Sequence, residues 1–191
     1  KVHRLIDKIV DFSLAYVEEQ QLIVGPAKRI TMSNHTPGLV GKEHFLEFIA
    51  PKLNRIFDAT DAELKIYHNE NDWNHCIPEF RNIHCNVIHA GPQLDWDKAN
   101  FHLPQCIMGV LAPLEVLADS DCPVIEENVK EILATSKRST KMWFSTGGGM
   151  HPKTPVENMQ CMIDAVRTFS PGIVQSLRDL DFSEQNRTLK S

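Results

Sequence analysis

The 191-residue sequence has no Cys-x-x-Cys pair, no apolar run near the ~20 residues of a membrane span, and no long block of either charge. Each absence removes a class of protein. Cys76, Cys85, Cys106, Cys122 and Cys161 are odd in number and widely scattered, which argues against a disulfide framework and a zinc ribbon; reduced thiols are expected. A net charge of -5 without a basic stripe offers no footprint for nucleic acid or an anionic membrane, so neither is expected as a partner. The opening Lys-Val-His does not resemble a signal peptide, and a cytoplasmic location is expected. A composition of 42% hydrophobic and 24% charged residues is that of a soluble globular chain with a substantial core. One domain over residues 1–191 is expected, with 170–191 as a C-terminal extension.

Apolar periodicity then alternates between two kinds of segment. Val2, Leu5, Ile6, Ile9, Phe12 and Tyr16 recur at helical spacing and predict an amphipathic helix ending before Gly25-Pro26. "AKRITMS" reads as a strand. A helix follows Gly41, with Phe45, Phe48, Ile49, Leu53, Ile56 and Phe57 on one face and a kink expected at Pro51. "ELKIYHNE", "NIHCNVIHA", "QCIMGVL" and "KMWFS" read as four further strands, separated by the helical pieces "PQLDWDKANFH", "PLEVLA" and "PVIEENVKEILATS". A last helix is marked by Thr154 as N-cap, Pro155 at the first helical position and Glu157 completing a capping box, with Met159, Met162, Ile163, Val166 and Phe169 on one side. A short helix, "IVQSLRDLD", and a fraying polar end are expected beyond Gly172.

Strands interleaved with helices imply parallel βα units with right-handed crossovers. A complete (β/α)8 barrel needs about 250 residues, so this length fits the C-terminal five βα units of a TIM barrel, with the first strands lying in a longer chain or the open side packed on another chain. An open doubly wound sheet is the other arrangement of the same units. Parallel strands are normally buried on both faces, and a homo-oligomer formed through the open barrel edge is an expected consequence.

In such a barrel the chemistry collects at the C-terminal ends of the strands. Asn34 and His35 follow the first predicted strand, His68, Asn69 and Glu70 the second, His89 ends the third, and Gly147, Gly148 and Gly149 follow the fifth. His68 and Glu70 are the sharpest pair, because residues two apart on an extended strand point the same way and both side chains can ligate a divalent ion. The alternative is a hydrogen-bonded histidine beside a solvated carboxylate. Cys85 and Cys106 fall in strand-like runs and read as small core residues, and His84 beside Cys85 is expected to face the helices. Trp73 and Trp96 either line the mouth or pack between helices.

The segments "KIYHNEND", "NVIHAGPQLDW", "CIMGVLAPLEVL" and "FSTGGGMHPKTPVENMQCMIDAV" resemble, in order and spacing, motifs of the uroporphyrinogen decarboxylase superfamily, which includes the corrinoid (cobalamin)-dependent methyltransferases. "ITMSNHTPGLVGKEHFLEFIAPKLNRI" resembles an earlier strand, loop and helix of the same barrel, so the resemblance runs from about Ala27 to Phe169. In the methyltransferase branch a His-x-Cys-Gly motif and a Gly-Cys-Gly turn bind zinc. Here His68 matches the histidine, while Glu70 and Gly148 stand where the two cysteines would be. The resemblance therefore implies an atypical metal site, His68 and Glu70 with a third ligand from His35 or His89, and the harder donor set makes zinc less strongly specified. True decarboxylases of the superfamily carry a histidine at the position of Gly148, and binding a polycarboxylate calls for several convergent cations, which the mouth positions do not provide.

The function so implied is movement of a methyl group between a small methylated substrate or thiol and a corrinoid carried by a partner protein, with His68 and Glu70 catalytic and Asn34, His35, His89 and Gly147 to Gly149 binding substrate. Glycines after the last strand let the backbone approach a ligand, and the amides opening the following helix favour an anionic group; a tight turn needed only for closure is the other reading. Decarboxylation of a carboxylated substrate and a non-catalytic ligand-binding fragment remain the alternative functions.

Overall fold

The computed structural model describes residues 1–136 and 141–170. Five parallel strands form one sheet in sequential order: β1 (Arg29–Ser33), β2 (Leu64–Asn69), β3 (Val87–Ala90), β4 (Cys106–Leu111) and β5 (Met142–Thr146). Helices fill the crossovers, as sequential parallel pairing requires. α1 (Val2–Val24) precedes β1, and α2 (Lys42–His44) runs through a π-helical turn at Phe45–Ile49 into α3 (Ala50–Asp58). α4 (Ile77–Phe80), α5 (Trp96–His102), α6 (Cys122–Thr135) and α7 (Val156–Phe169) follow. The expected alternation of βα units is what the chain adopts, although β3 starts only at Val87 rather than Asn82. Asn86 explains the delay: its side-chain oxygen accepts from the Lys65 amide at 2.7 Å, so a side chain occupies a position that a ladder would give to backbone. The predicted helix over "IVQSLRDLD" and the extension beyond Ser170 lie outside the described residues.

Several local expectations are corrected. Pro51 sits in the first turn of α3, and the disturbance lies just before it, where Phe45–Ile49 widens into a π turn. A proline has no N–H to return to the preceding turn, and a wider turn accommodates that gap. The capping box of α7 does not form: Pro155 is itself the extended N-cap residue, and the Thr154 hydroxyl donates instead to the His151 carbonyl at 2.8 Å. The cysteines are not all reduced, since Cys122 in the first turn of α6 is joined to Cys161 on α7. The two helices pack side by side and bring these Cα atoms to 5.8 Å despite 39 residues of separation. Cys76, Cys85 and Cys106 are free. Burial pushes the Cys76 thiol up to about 11 and that of Cys85 up to about 12, so neither is an activated thiolate.

The core has two parts. Ile30, Phe45, Phe57, Tyr67, Trp73 and Phe80 belong to the larger, beneath β1 to β4; Leu111, Leu117, Ile125, Val129 and Ala165 form the smaller, where α6 and α7 cover β4 and β5. Met159 and Met162 pack on this second cluster. Trp73 and Trp96 are buried, which assigns both to packing rather than to the mouth, and the Trp73 indole donates to the Asn69 carbonyl at 3.3 Å. His84 faces α3 as expected, bonded to Asp58 at 2.9 Å.

The sequence periodicity of α1 names an apolar face, yet that face points mainly outward. Ile6, Val10, Leu14 and Val17 turn inward, whereas Leu5, Ile9, Phe12 and Tyr16 are exposed, Phe12 at 73%. The reason is topological: among the described residues β1 is an edge strand, and a groove of about 680 Å3 runs along it between Phe12, Tyr16, Val17, Ile30 and Met32. Among the described residues no helix is long and apolar enough to cross a membrane.

Candidate active site

The register of the sheet places the mouth residues side by side. Ser33 pairs with His68, His68 with His89, and His89 with Met108, so both histidines leave the same face of adjacent strands. β1 ends in a turn that delivers His35: the Asn34 amide donates to the His68 carbonyl at 3.1 Å, and the Asn34 side chain accepts from the Thr36 amide at 2.9 Å. Tyr67 holds the same turn from beneath, its buried hydroxyl donating to the Asn34 carbonyl. Burial drives the Tyr67 phenol well above its usual range, so it stays a neutral donor.

One imidazole nitrogen from each of His35 and His68 and one carboxylate oxygen of Glu70 lie within 4.8 Å of one another. The rings of His35 and His68 are 5.3 Å apart. His35 Nε2 is buried and has no hydrogen-bond partner among the described residues, which is the condition of a donor atom whose partner is a ligand. Two imidazoles and a carboxylate form a donor set that suits zinc and also other divalent transition ions. A tetrahedral ion with bonds of about 2.1 Å holds its donors about 3.4 Å apart, so binding draws the three side chains together. These residues fit a metal.

His68 is held below the ordinary imidazole range, first by desolvation and then by the proximity of His89, with Glu70 opposing. It is therefore neutral and able to offer a lone pair near pH 7. Its Nδ1 lies 2.8 Å from His89 Nδ1, and His89 Nε2 lies 2.8 Å from the Thr146 carbonyl oxygen. Of the two histidines considered as a third ligand, His35 joins the donor cluster and His89 stands behind His68. Asn34 is brought to the mouth, but its side-chain oxygen serves the local turn.

Glycines shape the remaining wall. A Cβ on Gly148 would overlap Glu70 Oε2 and lie 3.1 Å from its carboxyl carbon, and a Cβ on Gly147 would lie 2.8 Å from Pro92 Cδ. Nothing lies within 4 Å of a Cβ at Gly149, so that position has open space beside it. The turn is fixed by the Gly147 amide donating to the Leu111 carbonyl at 2.7 Å and the Thr146 hydroxyl donating to the Gly148 carbonyl at 2.7 Å. Sequence reasoning missed Thr146 and Gly109, because the first contributes through a carbonyl and the second through a missing side chain. Gly109 has φ +121°, the left-handed region, and a Cβ there would overlap the Ala90 carbonyl oxygen and lie 3.3 Å from His89 Cδ2.

Five parallel strands in sequential order alternating with helices make this chain a piece of an α/β barrel, and the family follows. Residues 1–169 match the model of uroporphyrinogen decarboxylase (URO-D), and the chain belongs to that family. It is 25% identical over 171 residues to the uroporphyrinogen decarboxylase of Carboxydothermus hydrogenoformans, a match covering 88% of this chain and 48% of the relative. The uroporphyrinogen decarboxylase of Bacillus velezensis is 27% identical over 175 residues, covering 87% and 46%. The chain thus spans about half the length of the curated relatives it matches. Among solved structures, a methyltransferase from Methanosarcina mazei superposes with a TM-score of 0.73 at 16% identity, over 87% of this chain and 49% of that one. The likeness is one of fold, and it takes in about half of that chain.

Proposed function

We propose that this chain forms the metal-binding half of a methyltransferase that moves a methyl group between a small methylated substrate or a thiol and a corrinoid held by a partner protein. The observation that carries the reading is that His35, His68 and Glu70 each bring a ligand atom within 4.8 Å of the others, while His35 Nε2 is buried without a partner among the described residues. A divalent ion on these residues supplies Lewis acidity toward an ether oxygen, an amine or an acceptor thiol. His35 and His68 contribute neutral nitrogen donors, and Glu70 contributes the anionic oxygen. Gly147 and Gly148 make room for Pro92 and Glu70, Gly149 keeps open space for the substrate, and the first amides of α7 favour an anionic portion of it. No residue of this chain is assigned to the corrinoid. In the same reading the free edge of β1, with its apolar groove, is where the remaining strands of the barrel or a second copy of the chain pack.

Elemental analysis and methyl-transfer assays on the full chain, with His68→Ala and Glu70→Ala, test this. Near-stoichiometric metal in the parent, lost in both variants together with methyl transfer and without loss of fold, is the expected result. Unchanged turnover in both variants overturns it.

A decarboxylase is the second reading, favoured by the names of the curated relatives. The grouped mouth side chains, His35, His68, Glu70 and His89, include no lysine or arginine to hold a polycarboxylate. Release of CO2 without any corrinoid partner identifies this activity, with Glu70 as a metal-free general acid.

A further inference from the structure

Four hydrogen-bonding atoms in a row decide which nitrogen of His68 is free. The Thr146 carbonyl oxygen can only accept, so His89 Nε2, 2.8 Å away, carries a hydrogen. A neutral His89 then has its lone pair on Nδ1. The 2.8 Å contact between His89 Nδ1 and His68 Nδ1 needs one donor and one acceptor, so the hydrogen between them belongs to His68. His68 in turn has its lone pair on Nε2.

We infer that His89 is a positioning residue: anchored on the Thr146 carbonyl, it fixes His68 as the Nδ1–H tautomer and reserves His68 Nε2 as the ligand atom facing the mouth. This rests on the metal reading above only in what Nε2 binds. The fold is built to allow the link. His89 leaves β3 beside His68 on β2, and its far nitrogen reaches the last residue of β5, with β4 lying between. The ring has room there because β4 carries Gly109, whose missing side chain would stand 3.3 Å from His89 Cδ2. Thr146 is itself buried and clamped to the glycine turn through its hydroxyl, so its carbonyl is a fixed acceptor rather than a loop group that turns away. A hydrogen-bonded partner behind a ligating imidazole sets both ring orientation and donor strength, and removing such partners weakens metal binding about 10- to 100-fold.

The test is long-range 1H–15N NMR of the imidazole nitrogens in the full chain without metal, at about pH 8, well above the ordinary imidazole range. The expected spectra show the hydrogen on Nδ1 of His68 and on Nε2 of His89. A hydrogen on Nε2 of His68 overturns the inference. Zinc affinity, measured by competition with a chromophoric chelator, gives the second arm. His89→Leu is expected to bind zinc about 10- to 100-fold more weakly than the parent, and His89→Asn, which keeps an acceptor, to recover part of that loss. Equal affinity in the parent and both variants also overturns it. A parent chain that shows the expected tautomers but takes up no zinc defeats the metal reading alone, because the tautomer was read without metal.

Discussion

The carboxylate of Glu70 occupies the space that a side chain at position 148 would fill, and Gly148 is what leaves that space to it. The two positions are thus coupled: a long acidic side chain on β2's exit is matched by no side chain on β5's exit. Gly148→Ala is expected, through this overlap and a backbone φ of +158° that L side chains rarely adopt, to push Glu70 away from His35 and His68 while leaving the α6 and α7 packing intact. Metal affinity should fall about 10-fold or more, as for loss of a group that orients a ligand, and circular dichroism should stay unchanged. Gly149→Ala, where a Cβ meets nothing within 4 Å, is the control and should bind metal like the parent.

His68 yields a pH prediction with a definite sign. Its folded pKa lies below the ordinary 6.5, so as pH falls the unfolded chain takes up a proton before the folded one does. Linkage then removes stability from the metal-free protein as pH drops below 6.5 and stops removing it once the folded group is also protonated. Above 6.5 both states are neutral and the effect vanishes. Urea unfolding of the parent and His68→Gln between about pH 8 and pH 5 checks this: the parent should lose stability relative to the variant on the acid side. A parallel pair of curves removes the prediction.

The mouth was legible in the sequence where geometry follows from topology alone. Parallel βα units bring every strand's C-terminal end to one side, which groups His35, His68, Glu70, His89 and Gly148 by topology alone, and an extended backbone puts residues 68 and 70 on one face. What depends on packing could not be read. The partner of Cys122 is set by how α6 lies on α7, and the role of His89 by a carbonyl on another strand, for which no residue type is diagnostic. The outward face of α1 escaped for a related reason, since periodicity identifies an apolar stripe but not what covers it. Thr154 carried a good capping signature and lost it to a nearer acceptor, the His151 carbonyl.

The link between Cys122 and Cys161 closes a loop of 39 residues. In the chain-entropy description a loop of that size stabilises the folded state by about 4 kcal/mol, with engineered and native cases commonly below it. Cys122→Ser is accordingly expected to lower the unfolding free energy by about 2–4 kcal/mol under oxidising conditions. In the presence of excess dithiothreitol the parent should fall to nearly the same stability. Denaturant titration in both conditions measures this, and a parent indifferent to reductant would show that the bond contributes nothing.

Tyr67 connects core to mouth, and its removal separates stability from site geometry. The ring is fully buried against Phe80, at 5.2 Å between centroids, while its hydroxyl donates to the carbonyl of Asn34, one residue before His35. Tyr67→Phe keeps the ring packing but leaves that carbonyl with a lost partner in a part-buried position, which costs about 1–3 kcal/mol. The consequence that matters for function is freedom of the turn: with its anchor gone, Asn34 keeps only its contacts to the His68 carbonyl and the Thr36 amide. His35 should then sample positions away from His68 and Glu70. Metal affinity is therefore expected to fall about 10-fold or more even at temperatures where Tyr67→Phe is fully folded, and the loss should be absent in a His35→Ala background, where there is no third ligand left to misplace. An undiminished affinity in Tyr67→Phe would mean that the turn after β1 is held by its own hydrogen bonds and that Tyr67 serves the core alone.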